Sequence, residues 1–460
     1  MLMRSPAANA ESRLSLWRQV REYAVPPSMI KDATARRRTG DWAGACAAAR
    51  VDVDLNLRAV ARQHGRQLAA VLRTDLRHLA PDLLRWHLPR VAPDGLLRPA
   101  LTVSLARYPV SERDGAEPVH LVARTPPAWA DAGQRFSLAL WTGGRDDNHS
   151  PHPHSRPDRR FRLDLHRHLW DVRRADELAS RSGVQPVPTA DSPAPCWADL
   201  RARGYAVRQW AAEADLLLRA EGLTSGSVMV RLGARRRLVL DVAPAAANRS
   251  PSIRTARTGR AAPATLPVLP DAATWIPPDL ELLRRGLIDV DQLHPLVASA
   301  LVPGIQPTGS PADPVVAQPM VACGGGWHRI GLVDGVLTPL DHDRAEIHRE
   351  ELLAALTGTP LACLRAIDEA HRNPACLPDV RARLDHGDIT GALAAVGALL
   401  GPDALLRDGN LRQELENAAQ RRLAYGMFRA GLTGHAPPPS VRDWTAKRDC
   451  RSHPRHTTLR

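Results

Sequence analysis

Leu101-Thr-Val-Ser-Leu-Ala-Arg-Tyr108, Val119-His-Leu-Val-Ala-Arg-Thr125 and Arg135-Phe-Ser-Leu-Ala-Leu-Trp-Thr142 decide the fold class. In each segment apolar residues alternate with polar or small ones, and Pro, Gly or Asp bounds the run. A period of two sends successive side chains to opposite faces of a strand, so the three predict an antiparallel meander with one face buried. Phe161-Arg-Leu-Asp-Leu165 extends the same pattern. Farther along, Val228 to Leu232 and Arg237 to Val242 predict a hairpin. Trp327 to Val333 and Val336 to Leu340 flank Asp334-Gly335, the strongest hairpin signal in the chain.

Outside these runs the period is helical. Ser28 to Arg38 and Trp42 to Arg50 form a helical hairpin, with Gly40 closing the first helix and Asp41 capping the second. Leu57 to Leu79 is helical with a break at His64-Gly65, and Leu83 to Leu88 adds a short turn carrying Trp86. Further helices are expected over Trp170 to Ser180, Trp197 to Ala220, Pro278 to Leu287, His294 to Leu301, and from Arg344 to about Gly431. The fold class is therefore α+β. The expected division is a helical region over 1–99 and an α+β region with antiparallel strands over 100–243. A disordered Arg/Pro/Ala linker over 244–272 follows, then a hairpin plus helical domain over 273–433 and a disordered basic tail over 434–460. Gly143 to Arg160, rich in His, Pro and Asp, reads as a disordered loop. Gly40-Asp-Trp-Ala-Gly-Ala45 and Gly387-Asp-Ile-Thr-Gly-Ala392 share the pattern G-D-x-x-G-A, read as one capping solution used twice rather than as a repeat.

The chain has 460 residues and a formal net charge of +13, but the charge is misleading as a nucleic-acid signal. Lys31 and Lys447 are the only lysines, and near-total arginine use with abundant Ala, Gly and Pro is what GC-rich codons produce. Four arginines without an acid lie in Pro244 to Pro270, and six cations against two acids lie in Gly434 to Arg460. Those stretches allow weak, salt-sensitive nucleic-acid association; a basic patch on a folded face is not evident. The six cysteines form no CxxC pair and no disulfide framework. The start lacks the apolar core of a secretory signal, and Ile389 to Leu400, the longest apolar run, is too short to span a bilayer. A cytoplasmic protein with free thiols and no membrane partner is the expectation.

Candidate chemistry is sparse. His342, with His348, Glu350 and Glu351 downstream, supplies metal-ligand types, although Asp343-x-x-Glu346 also fits a capping box before a helix with a buried stripe of Ile347, Leu352, Leu353 and Leu356. His166 and His168 would share one face of a strand and so could share a metal, with His152 and His154 nearby; a solvated strand face is the simpler expectation. Cys323-Gly-Gly-Gly-Trp-His328 places a thiol and an imidazole in one short segment, but its glycines lead into a hairpin rather than the helix a phosphate loop needs. No nucleophile elbow, zincin, dinucleotide or kinase signature occurs, and no cofactor is implied.

Val25-Pro-Pro-Ser-Met-Ile30, Gly40 to Ala48 and Asp75 to Arg90, together with Leu293-His-Pro-Leu-Val297, Trp327-His-Arg329 and Leu340-Asp-His342, resemble a group of actinobacterial proteins of unassigned activity. Some members carry C-terminal ankyrin repeats; here the T-P-L-H signature is absent and His386-Gly-Asp388 is a partial match. The resemblance implies no activity. The expected function is a non-catalytic interaction or scaffold protein with an unknown protein partner, for which Trp86, Trp327 and His328 are the anchor candidates, core packing being the competing role for both tryptophans. The alternatives are nucleic-acid association through linker and tail, or a metal-dependent enzyme using His342 and His348 or His166 and His168.

Overall fold

The computed structural model of the chain describes residues 6–109, 118–143, 152–184, 195–233, 236–243, 251–259, 265–304, 320–323, 326–358 and 360–432. Two units emerge, Met1–Pro307 with Met427–Arg460, and Thr308–Gly426. The basic tail over 434–460 lies outside the described residues, among which no helix is long and apolar enough to cross a membrane.

The larger unit is built on the expected meander. Its strands are β1 (Val51–Asp54), a short ribbon of β2 (Arg90–Val91) and β3 (Leu96–Leu97), then β4 (Thr102–Tyr108), β5 (Val119–Arg124) and β6 (Phe136–Trp141). The last three pair antiparallel in the order β6-β5-β4. β1 adds parallel to β6, Val51 opposite Phe136. Val-Asp-Val-Asp is too short a run to stand out between helices. The sheet is buried on both faces rather than one. One face joins a large core in which Leu14, Leu72, Trp86, Leu105, Leu138, Leu282 and Leu301 all take part, while Val122, Ala139 and Trp141 cluster separately. This core takes in residues from Leu14 to Leu178 and again from Leu280 to Leu301, so the border expected at 99 cuts through it, while Tyr205, Trp210, Leu218, Val230, Leu240 and Leu269 pack a second core within the same unit.

β7 (Gly226–Arg231) and β8 (Arg237–Ala243) form the expected hairpin, and β9 (Ser252–Gly259) completes an antiparallel sheet of three. β9 falls inside the stretch read as a linker. Ser-Ile-Arg-Thr-Ala-Arg-Thr-Gly contains no apolar run, so its β-branched residues were masked by arginines; 244–250 and 260–264 lie outside the described residues. The border between units comes after Pro307 instead.

The helical hairpin forms over Pro27–Arg38 and Trp42–Ala48, with Gly40 at φ +79° and the Asp41 carboxylate accepting from the Gly44 N–H at 2.8 Å. Gly387, Asp388 and Gly391 repeat this at φ +83° and 3.1 Å, and in both copies an arginine five residues earlier, Arg36 or Arg383, reaches the capping aspartate at 3.2 Å. A Cβ on Gly44 or Gly391 would overlap Oδ2 of the capping aspartate, which is why both carry glycine.

In the smaller unit β10 (Met320–Cys323), β11 (Gly326–Val333) and β12 (Val336–Pro339) form an antiparallel sheet, with Asp334 and Gly335 both at positive φ in the turn. Ile330 and Leu337 pack with Ile367, Val380, Leu384, Val396 and Leu400 of the following helices. The helix Arg344–Thr357 corrects one expectation: Asp343 stands at its N-cap but makes no side-chain cap bond, and Leu352, Leu353 and Leu356 are exposed rather than a buried stripe.

Candidate functional site

Phe161 to Leu165 runs beside β4 but does not join it as a strand. Arg162 closes on Asp164 two residues on, Leu165 and His166 donate back to the Arg162 and Leu163 carbonyls, and a 3-10 turn follows over Arg167–Leu169. Only an isolated bridge, Ser104 with Arg162, remains of the expected pairing. That turn sends both histidines inward. His166 and His168 are 2% and 4% exposed, so the expectation of a solvated strand face is overturned. The preceding residues His152 to Arg160, read as disordered loop, are also tied down: His152 Nε2 lies 2.9 Å from the Thr125 carbonyl and Asp158 N–H donates to Thr102; residues 144–151 lie outside the described set.

The two rings meet edge to face, centroids 5.8 Å apart, on the wall of a cavity of about 120 Å³. Their settings differ. His166 Nδ1 donates to the Arg162 carbonyl at 3.0 Å, and Nε2 stands 3.1 Å from Glu213 Oε2, somewhat off the line of a good hydrogen bond. Both nitrogens therefore face acceptor oxygens. His168 has a buried Nδ1 with no hydrogen-bond partner. Burial pushes its pKa well below the usual imidazole value, and His166, Arg181 and His87 act in the same direction, so the ring is neutral at pH 7.

Glu213 comes from the helix Trp210–Ala220 and is held by Arg181 through two charge-assisted bonds of 2.5 and 2.6 Å. Burial alone would raise its pKa; His166 and Arg181 outweigh burial and hold the carboxylate down to about 2. His87 lies at the end of the helix Pro81–His87, where burial pushes its pKa down to about 4. Trp17, Phe161 and Trp275 supply apolar wall. The lining arginines Arg13, Arg21, Arg162 and Arg181 are matched by Glu281, Asp279, Asp164 and Glu213, so the cavity is close to charge-balanced. Asp279 also accepts from Trp86 Nε1 at 3.2 Å, which corrects the reading of Trp86 as an exposed anchor: it is 1% exposed and belongs to the core.

The remaining candidates lie in the smaller unit. Trp327 is 69% exposed, so the core role fails for it. His328 stacks on His342, centroids 4.2 Å apart and planes 14° apart. His342 Nε2 lies 3.6 Å from Cys363 Sγ, and Cys323 completes a group whose ligand atoms all fall within 4.8 Å of one another. His348 is outside it, its side chain 73% exposed and 4.0 Å from Glu351. Among the described residues no such three-ligand group includes His166 or His168. Asp341 beside them is bound by Arg329, whose side chain and backbone N–H hold its pKa down to about 2.

Sequence reasoning missed Glu213, Arg181 and Cys363. Each is remote in sequence from the histidine it meets, and the only local signal was the histidine pair itself. Comparison with protein-family models, with curated proteins and with solved structures finds no match to this chain.

Proposed function

We propose that the larger unit binds a small polar molecule in the histidine cavity and moves a proton on it, with neutral His168 as base and His166, backed by Glu213, as its acid partner. One observation supports this most: two adjacent buried imidazoles in opposite settings, one facing an ionised carboxylate and one with a free ring nitrogen, on one cavity wall. A buried titratable group shifted by its surroundings, beside a second one on a cavity wall, is a usual mark of acid–base sites. The aromatic wall offers apolar contact and the polar groups set orientation, as small-molecule sites require. Ligand-observed NMR of full-length protein with small carboxylates, amides and hydroxy compounds tests the reading. Binding that competes within one site and fades in both Glu213→Gln and His168→Phe is expected. Binding unchanged in both variants, or none by about 1 mM, would sink it.

A second reading rests on Trp327. With Met320, Val333 and Val336 it forms an exposed apolar face on the smaller unit's sheet, since Ala322 pairs with Trp327 and Val333 with Val336. Such a face suits docking of an apolar protein segment. A partner recovered from the native host by wild type but lost with both Trp327→Ser and Val336→Asp would support this; recovery unaffected by either change would oppose it.

A further inference from the structure

Cys323, His342 and Cys363 come from three separate places in the smaller unit: the end of β10, the segment after β12, and the first turn of the helix Ala362–Arg372. Val321 pairs with His328 and Cys323 with Gly326, so Cys323 and His328 project from the same face of the β10–β11 ladder. Gly326, between them on that face, leaves room: a Cβ there would stand 3.3 Å from His328 Nε2. Both thiols are buried, at 4% and 0% exposure, and remain unlinked.

We propose that these residues form a structural zinc site, with Cys323, Cys363 and His342 as ligands and His328 completing the tetrahedron by a swing of its ring. Zinc bonds of about 2.3 Å to sulfur and about 2.0 Å to nitrogen put tetrahedral S and N ligands about 3.6 Å apart. The Cys363 Sγ to His342 Nε2 distance is 3.6 Å. The other nitrogen of His342, Nδ1, faces Glu346 Oε2 at 3.4 Å. A proton on Nδ1 shared with that carboxylate leaves the Nε2 lone pair for the metal, the usual second contact of a zinc-bound histidine. His328 Nδ1 is buried and has no hydrogen-bond partner. Two thiolates with two imidazoles select zinc over magnesium or calcium, and binding releases the thiol protons to solvent. The bound ion would clamp the hairpin to the helix beginning at Ala362. No CxxC marks the site because its ligands come from discontinuous segments.

The test uses the full chain, stripped with a chelator and titrated with Co(II) as a spectroscopic stand-in for zinc. The expected result is one equivalent bound, with thiolate-to-cobalt charge-transfer absorption and intense tetrahedral d–d bands, displaced by added Zn(II). Cys363→Ser and His328→Ala should each weaken binding by at least about tenfold, while His348→Ala leaves it unchanged. Wild type without thiolate–cobalt absorption, a Cys323–Cys363 disulfide in the freshly purified protein, or affinity indifferent to Cys363→Ser would each overturn the site. Unaltered affinity in His328→Ala would overturn its place as fourth ligand.

Discussion

Replacing Asp279 with alanine should damage the larger unit more than its size suggests. Asp279 accepts from Arg21 Nε at 2.6 Å and Nη2 at 2.9 Å, with both side chains 1% exposed, and also from Trp86 Nε1. The bond joins residues 258 apart and pins the helix Pro6–Tyr23 to the helix Pro278–Arg284. Removal strands a cation that burial already penalises, as its lowered pKa reflects, and orphans an indole N–H. Breaking a buried pair from one side costs about 3–5 kcal/mol, and the orphaned donor adds part of a further 1–3 kcal/mol or so. At about 1.5 °C per kcal/mol for a unit of this size, Tm should fall by roughly 6–10 °C. Nine of the eleven tryptophans lie before Pro307, so urea unfolding followed by indole fluorescence reports this unit. The double variant Arg21→Met with Asp279→Leu should regain most of the loss, because no charge is left buried. A single-variant cost under about 1 kcal/mol, or a double variant as unstable as the sum of the singles, would refute the reasoning.

Acidification offers another check. His87 takes its proton near pH 4 when folded and near its ordinary value of about 6.5 when unfolded, so the unfolded chain binds more protons between those values. Stability should fall as pH drops through that window, by at most about 3 kcal/mol from this group, and His168 acts in the same direction. Urea midpoints flat from neutral pH to about 4.5 would contradict it, and His87→Gln should reduce the slope. Glu213, held at about 2, adds stability that is present above its unfolded value of about 4.5 and is lost as pH falls toward 2. Gly44→Ala and Gly391→Ala should each destabilise by about 1 kcal/mol through loss of the aspartate cap, where an ordinary helical Gly→Ala stabilises; a gain in Tm in either variant would refute the shared cap. Trp327→Ser should change stability by less than about 0.5 kcal/mol, since its ring faces solvent; a larger thermal shift would mean the ring packs in solution.

Periodicity and turn chemistry carried most of the architecture. The meander, the Asp334-Gly335 hairpin and the two Gly-Asp caps all formed where local signals placed them. What escaped were features whose cause is tertiary. β1 and β9 are strands because a neighbour completes them, not because Val-Asp-Val-Asp or an Arg/Thr alternation announces one. His166 and His168 read as a strand face by spacing, yet an Arg162–Asp164 turn rotates them into the interior. Trp86 and Trp327 looked alike in sequence and ended at opposite extremes of burial. His342 was legible as a ligand type, but its apparent companion His348 points to solvent while Cys363, 21 residues away, comes into contact.

Histidine-resolved NMR of full-length protein carrying ¹⁵N-labelled imidazoles tests the acid–base cavity most directly. His168 should take up its proton only well below the pH at which an ordinary imidazole does, and compounds bound by the protein should shift the His166 and His168 resonances while leaving the exposed His348 untouched. A His168 that titrates like a free imidazole, or ligands that perturb His348 and not the cavity pair, would contradict it.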